Sequence, residues 1–294
     1  MNFLLGADAA RIPSVLWGAV AGSWVRGSGL FFGGCATDDV VVSARTARRA
    51  DDAGDRVMNF FWPAWALTRR EFQRFWGERS RVAGFVISPL LFWIVVGSGF
   101  GNLDYFFAGA LTMTVMFSAM FSMMSLIDDR REGFLLSVLV SPAPRASIFF
   151  GKMAGAAILA WLQGLFVLCG VFFTTLRQDP LTLVYVAGVL LLTALLLTTV
   201  SYMIAWKLSS TQAFHAVINL LLVPAWMLSG AIFDPLLSFA WVRLLVQFNP
   251  LYYAHSLVRQ FLSPGPGLPE ISNCFLALAA SIGVGAVLAV RSTK

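Results

Sequence analysis

Few side chains in this sequence have the types and spacing that acid–base or metal chemistry needs. The two histidines, His215 and His255, have no H-E-x-x-H motif and no carboxylate at ligand spacing, which argues against a zinc hydrolase. The cysteines Cys35, Cys169 and Cys274 lie too far apart to predict a disulfide framework or a metal site. There is also no G-x-S-x-G nucleophile motif. We therefore predict no catalytic and no metal-binding residue.

The sequence also lacks a motif for nucleotide chemistry. The phosphate-binding pattern G-x-x-x-x-G-K-[ST] does not occur. The Gly151-Lys152 pair is followed by Met153 and has no glycine at the upstream position. We therefore expect no cofactor in this chain.

Composition indicates where the chain resides. Hydrophobic residues make up 58% and charged residues 12%, and the mean hydropathy is +0.77, far from the averages of soluble domains. A bilayer requires about 20 apolar residues per helix, and we predict an all-α, polytopic membrane bundle with six transmembrane helices. None of the six contains an internal Asp, Glu or Arg, which argues against a proton-driven carrier. The predicted spans are Val82 to Gly99, Tyr105 to Ile127, Met153 to Thr175, Leu181 to Trp206, Ala213 to Phe233, and Ile271 to Val290.

The basic residues orient these spans. If both flanks of the bundle are cytosolic, the opposite side holds only Arg177, Arg243 and Arg259. This bias predicts cytoplasmic N- and C-termini and a cytosolic segment from Asp128 to Lys152. The net charge of +6 then reflects topology, and we expect no nucleic acid partner. The basic residues on the cytosolic side are Arg69, Arg70, Arg74, Arg79, Arg81, Arg130, Arg131, Arg145, Lys152, Lys207, Arg291 and Lys294.

An amphipathic helix is predicted from Pro63 to Arg81, before the first span. Aromatic residues fall on one side, and charged residues, including Glu71, fall on the other. Such a helix lies in the headgroup region of the membrane, with its arginines toward anionic lipid. An ordinary solvated helix that caps the bundle is the alternative. The residues assigned to this interfacial helix are Trp65, Arg70, Phe72, Arg74, Phe75 and Trp76.

The first 57 residues do not follow this pattern. The apolar run Ile12 to Val25 is too short for a span, and Asp38 to Arg56 is densely charged. We expect residues 1–57 to be a weakly ordered extension or the result of a misassigned start, with Met58 as the true start. Residues 58–294 would then form a single transmembrane domain.

A long segment from Asp234 to Glu270 precedes the last span on the outer side. It is too apolar for a plain loop, and we predict short re-entrant helices packed on the bundle. A seventh span is the alternative, and Arg243, Asn249 and Pro250 disfavour it.

Polar side chains recur within the second and fifth spans. They could line a substrate pathway, although hydroxyl and small residues in lipid usually serve helix packing. The same holds for the G-x-x-x-G pair of Gly151 and Gly155. The candidate pathway residues are Thr114, Ser118, Ser122 and Asn219.

The cytosolic stretch from Asp128 to Arg145 combines charges with turn residues between two spans. A short helix from Glu132 to Val140, ended by Pro142 and Pro144, would offer apolar side chains and rim charges to another protein. A solvated turn that only connects two helices is the alternative.

The order of these features resembles the permease subunits of ABC type-2 exporters, including nodulation-factor and antibiotic-export permeases, over roughly residues 60–294. Residues 1–57 match nothing in the family pattern. The motifs that carry the resemblance are the interfacial helix running into Ser80-Arg81-Val82, the start of the first span at Ser88-Pro89-Leu90-Leu91-Phe92-Trp93, the stretch from Arg131-Glu132-Gly133-Phe134-Leu135 to Ser141-Pro142, and Asn249-Pro250-Leu251-Tyr252-Tyr253.

The resemblance implies a permease subunit of an ATP-driven exporter in the cell inner (plasma) membrane, in contact with lipid. The chain would form the substrate pathway as a homodimer or as a pair with a similar permease. ATP and Mg²⁺ would be bound by a separate ABC ATPase subunit. The residues that would couple to this subunit are Arg131, Glu132, Gly133, Phe134, Leu135, Ser141 and Pro142.

Two other classes of protein compete with this interpretation. The first is a membrane-embedded enzyme acting on lipid or lipid-linked sugar, which needs polar groups that converge at one reaction centre. The second is a non-catalytic assembly or anchor protein. The acidic candidates for an enzyme are split between the two faces of the membrane: Asp104, Asp128, Asp129, Glu132, Asp179, Asp234 and Glu270.

Overall fold

Helices form all the regular structure in the described part of the chain. This is expected for a membrane protein, because the bilayer core contains no water to hydrogen-bond with backbone groups, and a helix satisfies them internally. The computed structural model describes residues 61–77, 79–134, 140, 145–265 and 267–292. The predictions for residues 1–57 concern residues outside these ranges. The same is true of Leu135, Ser141 and Pro142 among the predicted coupling residues, and of most of the short helix predicted from Glu132 to Val140 with its end at Pro142 and Pro144.

The described helices follow one another with short connections. The long ones are α1 (61–77), α2 (Arg79–Gly99), α3 (Leu103–Arg131), α4 (Arg145–Leu168), α5 (Pro180–Lys207), α6 (Thr211–Trp226) and α9 (Ile271–Ser292). Two shorter α-helices, α7 (Ala240–Gln247) and α8 (Pro250–Leu262), precede α9. The remaining turns are 3₁₀-helical at Cys169–Phe173 and Pro235–Leu237 and π-helical at Met227–Ala231.

Five helices in the described residues are long and apolar enough to cross a membrane, so the predicted all-α polytopic bundle is confirmed. The first of the six predicted spans lies in α2, whose apolar part Ile87–Gly99 is shorter, and the sixfold count stays a prediction. The five spans are Leu103–Arg131, Ala146–Phe173, Pro180–Lys207, Thr211–Ala231 and Ile271–Arg291.

The centre of the bundle is α3. It packs against α2, α4, α5 and α6, and its side chains are buried along most of its length. Buried apolar residues recur there every four positions, for example Phe107, Leu111, Val115 and Ala119. α9 lies at the periphery, where it packs mainly on α5 and α8.

The helix starts coincide with polar residues at the predicted turns. Asn102 accepts a hydrogen bond from the backbone N–H of Tyr105 (2.9 Å), and Asp179 accepts one from Thr182 (3.0 Å). These caps satisfy backbone donors that have no partner inside the helix. The bonds from Thr182 also hold the pKa of the exposed Asp179 carboxyl below its usual value.

The outer segment before α9 folds into short helices, as predicted. α8 is buried against α3, α5 and α9, whereas α7 exposes most of its surface. Neither helix is among the candidate spans, and the alternative of a seventh span finds no support in the described residues. Gly230, with φ of +89°, turns the chain out of α6 into this segment.

Candidate functional site

Two glycines bring α1 into direct contact with α4. A Cβ atom on Gly151 would lie 2.7 Å from the carbonyl oxygen of Ala64, and one on Gly155 would lie 3.0 Å from Cβ of Glu71. Real Cβ atoms essentially never approach a backbone atom as closely as at Gly151, and the distance at Gly155 is shorter than most real Cβ contacts, so small residues are needed at this crossing. The G-x-x-x-G pair therefore packs α1 onto the start of α4.

A lysine lies buried where α1, α3 and α4 meet. The Nζ atom of Lys152 in α4 donates to Oε1 of Glu71 in α1 and to Oδ2 of Asp129 in α3. It also donates to Oγ of Ser125, 3.2 Å away. The exposed fractions are 1% for Lys152, 4% for Glu71 and 0% for Asp129. One cation thus joins carboxylates that are far apart in the sequence.

Two arginines of α1 complete the charge balance. Nη1 of Arg70 donates to Oδ1 of Asp129 over 2.7 Å. Arg74 donates to the same oxygen over 3.3 Å and to Oδ2 of Asp128 over 2.9 Å. Buried charges are tolerated when they are paired and hydrogen-bonded. We call this group the charge cluster: Arg70, Glu71, Arg74, Asp128, Asp129 and Lys152.

The charge cluster borders the α3–α4 connection, residues 132–144. α3 ends at Arg131, and Gly133 turns the chain there with φ of +76°. The guanidinium carbon of Arg70 lies 3.8 Å from the centroid of the Phe134 ring, a cation–π contact. Lys152 lies two turns into α4, which begins at Arg145 after the connection, and it pairs with Asp129 near the end of α3. The charge cluster therefore joins the two helices that flank the connection and also contacts its first described residues through Phe134.

The end of α3 is also tied to the end of α5. Arg130 donates to the carbonyl oxygen of Trp206 over 2.7 Å and to that of Leu208 over 3.2 Å. Its guanidinium also lies 5.2 Å from the centroid of the Trp206 ring. Hydrogen bonds and ring contact together couple the two helix ends.

The described coupling residues differ in exposure. Arg131 and Glu132 are exposed, and Gly133 and Phe134 are half-buried. The Phe134 ring packs against the core of its own chain as well as against Arg70. Arg131 and Glu132 are thus accessible to another protein. Only part of the Phe134 ring is accessible in this way.

The interfacial helix is oriented by its charges. Trp65 and Trp76 point outward, with 64% and 68% of their surface exposed, and Phe72 and Phe75 are half-buried. We expected the arginines to face lipid headgroups, but Arg70 and Arg74 lie against the bundle. The buried carboxylate of Asp129 explains this orientation, because it requires cations nearby.

The candidate pathway residues do not form one group. Thr114 and Ser118 are buried inside α3, and the hydroxyl of Thr114 donates to the carbonyl oxygen of Ala110 over 2.8 Å. Ser122 is half-buried, and Asn219 is exposed on α6. Their role as a pathway stays a prediction.

The pairing inside the charge cluster was not predicted. A lysine two turns into a very apolar helix, together with an Asp-Asp pair at the end of the preceding span, was the signal in the sequence that could have indicated this pairing.

A metal centre requires several ligating side chains placed together. In the described ranges, no group of three His, Cys, Asp or Glu residues is placed to hold a metal ion.

A bundle of apolar spanning helices with a charged cluster at one end defines a multi-pass membrane protein. The sequence pattern of the ABC-2 type transporter family matches residues 64–262, from α1 to the end of α8. The chain therefore belongs to the ABC-2 type transporter family. Both the charge cluster and the α3–α4 connection lie inside the matched region.

Two relatives carry the name transport permease ycf38. The one from Cyanophora paradoxa is 26% identical over 262 residues, which cover 84% of this chain and 90% of the relative. The one from Porphyra purpurea is 26% identical over 215 residues, covering 67% and 73% of the two chains. This chain is thus a transmembrane transporter subunit of a family that associates with an ABC ATPase.

Proposed function

We propose that this chain is the permease subunit of an ATP-driven exporter and that the α3–α4 connection docks on a separate ATPase subunit. The observation that carries this proposal is that the charge cluster joins α3 and α4, the two helices that flank the connection, and contacts the connection itself at Phe134. A loop that served only as a link would not need buried ion pairs at its base.

The charge cluster would transmit movement of the connection to the helices of the bundle. A displacement of the connection would move Phe134 and, through Arg70, the interfacial helix α1. It would also move the ends of α3 and α4, which share Lys152 and Asp129. Packed elements of this kind shift as units between discrete arrangements. ATP and Mg²⁺ bind to the partner in this scheme, and this chain supplies the pathway.

A second copy of the chain would complete the pathway. Asn219 is exposed on α6, although α6 is a candidate membrane span. A polar amide facing hydrocarbon is unfavourable, so we infer that this face meets a second copy or the pathway between the copies. We infer the inner (plasma) membrane from the resemblance to ABC type-2 exporter permeases, and the positive-inside pattern supports the cytoplasmic position of both termini.

Charge reversal at Glu132 tests the docking. Glu132 is exposed on the connection, so Glu132→Arg leaves the charge cluster intact while placing a cation where the partner should meet an anion. Repulsion of like charges across an interface costs several kcal/mol, and we expect capture of the ATPase to fall by at least roughly tenfold. The measurement is affinity purification of the tagged chain from membranes of its host, with the captured ATPase identified by its phosphate-loop sequence.

Glu270→Arg is the matched control, because Glu270 is also exposed and lies next to α9 on the predicted outer side. This variant should capture the ATPase as well as the wild type does. Equal capture by Glu132→Arg, or a wild-type chain that captures no phosphate-loop ATPase, would contradict the proposed docking.

A further inference from the structure

A groove lies along α1 beside its contact with α4. It lies between α1, α4 and α5 and has a volume of about 410 Å³. Ligand pockets in proteins commonly have volumes of roughly 300–1,000 Å³. The groove could therefore hold part of a small molecule. Its main walls are Phe61, Trp65, Phe150, Met153, Ala154 and Leu195.

The groove surface is apolar. Among the described lining residues the polar one is Thr68, whose hydroxyl lies 2.9 Å from the carbonyl oxygen of Ala64 and 3.0 Å from that of Gly151. No polar ligand group would find a partner among the walls. A hydrocarbon chain would fit them, because burial of apolar surface is the main favourable term.

A cation lies beside the groove. Arg69 is exposed, follows Thr68 directly and comes four residues after Trp65, on the same side of α1. It differs from Arg70 and Arg74, whose guanidinium groups bond to Asp128 and Asp129. A guanidinium is well suited to bind a phosphate through two parallel hydrogen bonds.

The aromatic residues of α1 place this site at the membrane surface. Trp62 and Trp65 are both exposed, and tryptophan is enriched at the level of lipid headgroups. An apolar groove at that level with an arginine at its rim matches a phospholipid, which has acyl chains below its phosphate.

We propose that the groove between α1, α4 and α5 binds an anionic phospholipid, with an acyl chain between Trp65 and Phe150 and the headgroup on Arg69. The bound lipid packs against α1 and α4 beside Thr68, which lies one helical turn before Glu71. It thereby stabilises the charge cluster. The proposal depends on the surface position of α1 and holds whether or not the chain docks on an ATPase.

A second groove serves as an internal comparison. It has a volume of about 530 Å³ and lies between α2, α3 and the end of α4, where Trp93, Ser98 and Phe166 are among its walls. An acidic residue, Asp104, follows Leu103 in its wall. This groove would hold lipid without a preference for anionic headgroups.

Native mass spectrometry of the purified full chain tests the proposal. The chain is reconstituted in nanodiscs of mixed phosphatidylcholine and phosphatidylglycerol, and the lipids retained on release are counted. The wild type should retain phosphatidylglycerol in preference. Arg69→Gln should lower this preference by about fivefold, since one basic residue near a membrane surface contributes about that factor. Ala154→Leu fills the groove and should remove the retained lipid.

Ser98→Leu in the second groove is the matched control and should leave retention of phosphatidylglycerol unchanged. Thermal unfolding of each variant shows that it is folded. Equal retention of both lipids by the wild type would overturn the proposal, because the groove would then hold ordinary annular lipid. An unchanged preference in both Arg69→Gln and Ala154→Leu would overturn it as well.

Discussion

Lys152 uses all three hydrogens of its ammonium group. They point to a carboxylate of α1, a carboxylate of α3 and the hydroxyl of Ser125, which itself donates to Glu71 over 2.8 Å. A compact ammonium suits this position, where three acceptors surround one point. The larger, planar guanidinium of arginine would not fit the same acceptors.

Loss of this one charge should destabilise the fold. Lys152→Met leaves Glu71 and Asp129 buried without their shared cation, and breaking a buried ion pair costs about 3–5 kcal/mol. We expect a lower midpoint of thermal unfolding for the purified chain in detergent. The double variant Lys152→Met/Glu71→Gln should recover part of the loss, because Asp129 keeps Arg70 and Arg74. A double variant no more stable than the single one would argue against the buried pair.

At the scale of elements, the contact between α1 and α4 decides whether the charge cluster can form. The polar side of α1 reaches the bundle because two glycines of α4 let its backbone approach. This also explains why the aromatic side of α1 remains outside. An amphipathic helix next to a membrane can bury either side, and here the buried carboxylate of Asp129 selects the charged one.

Adding one methyl group, by Gly151→Ala, tests how closely α1 and α4 are packed. The Cβ of Gly151→Ala would lie 2.7 Å from a backbone oxygen of α1, which cannot move aside as a flexible side chain could. We expect a loss of stability of about 1–3 kcal/mol from overpacking, seen as a lower unfolding midpoint. Gly188→Ala in α5 is the control, since its Cβ meets nothing within 4 Å. It should be neutral or slightly stabilising. Equal effects of the two changes would contradict the close contact.

At the scale of the whole molecule, the helix α8 links stability to pH. His255 in α8 is buried against α3 and the turn at Gly230, and its exposed fraction is 1%. Burial, with a smaller contribution from the charge of Arg259, lowers the pKa of His255 to about 3. In the unfolded chain this imidazole has a pKa of about 6.5.

The stability of the fold should decrease as the pH falls below 6.5, toward the pKa of about 3 that His255 has in the folded chain. Below pH 6.5 the unfolded chain takes up a proton on His255, and the folded chain does so only near pH 3. The contribution to stability is therefore complete above pH 6.5, and about 2 kcal/mol of it is lost by pH 5. In His255→Asn this loss should be absent, so the unfolding midpoint should change less between pH 7.5 and pH 5 than in the wild type. Parallel curves for the two proteins would contradict the buried neutral imidazole.

Much of the architecture follows from the sequence because lipid restricts the options. Apolar runs without internal acids predict helices, and polar caps such as Asn102, Asp179 and Ser210 mark their starts. The short outer helices were predicted for the same reason, since backbone near the bilayer must be hydrogen-bonded. The orientation of α1 could not be predicted, because periodicity identifies two faces of a helix but not which one is buried.

The sequence by itself determined the class of protein: apolar helices that span a membrane, a charged connection between two of them, and the pattern of the ABC-2 type transporter family. The tertiary structure decided which charges meet. Lys152 is 81 residues from Glu71 and 23 from Asp129 along the chain. The physical reason is that an ion pair depends on distance in space. Only the packing of α1 on α4, and of both on α3, brings these side chains within hydrogen-bonding reach.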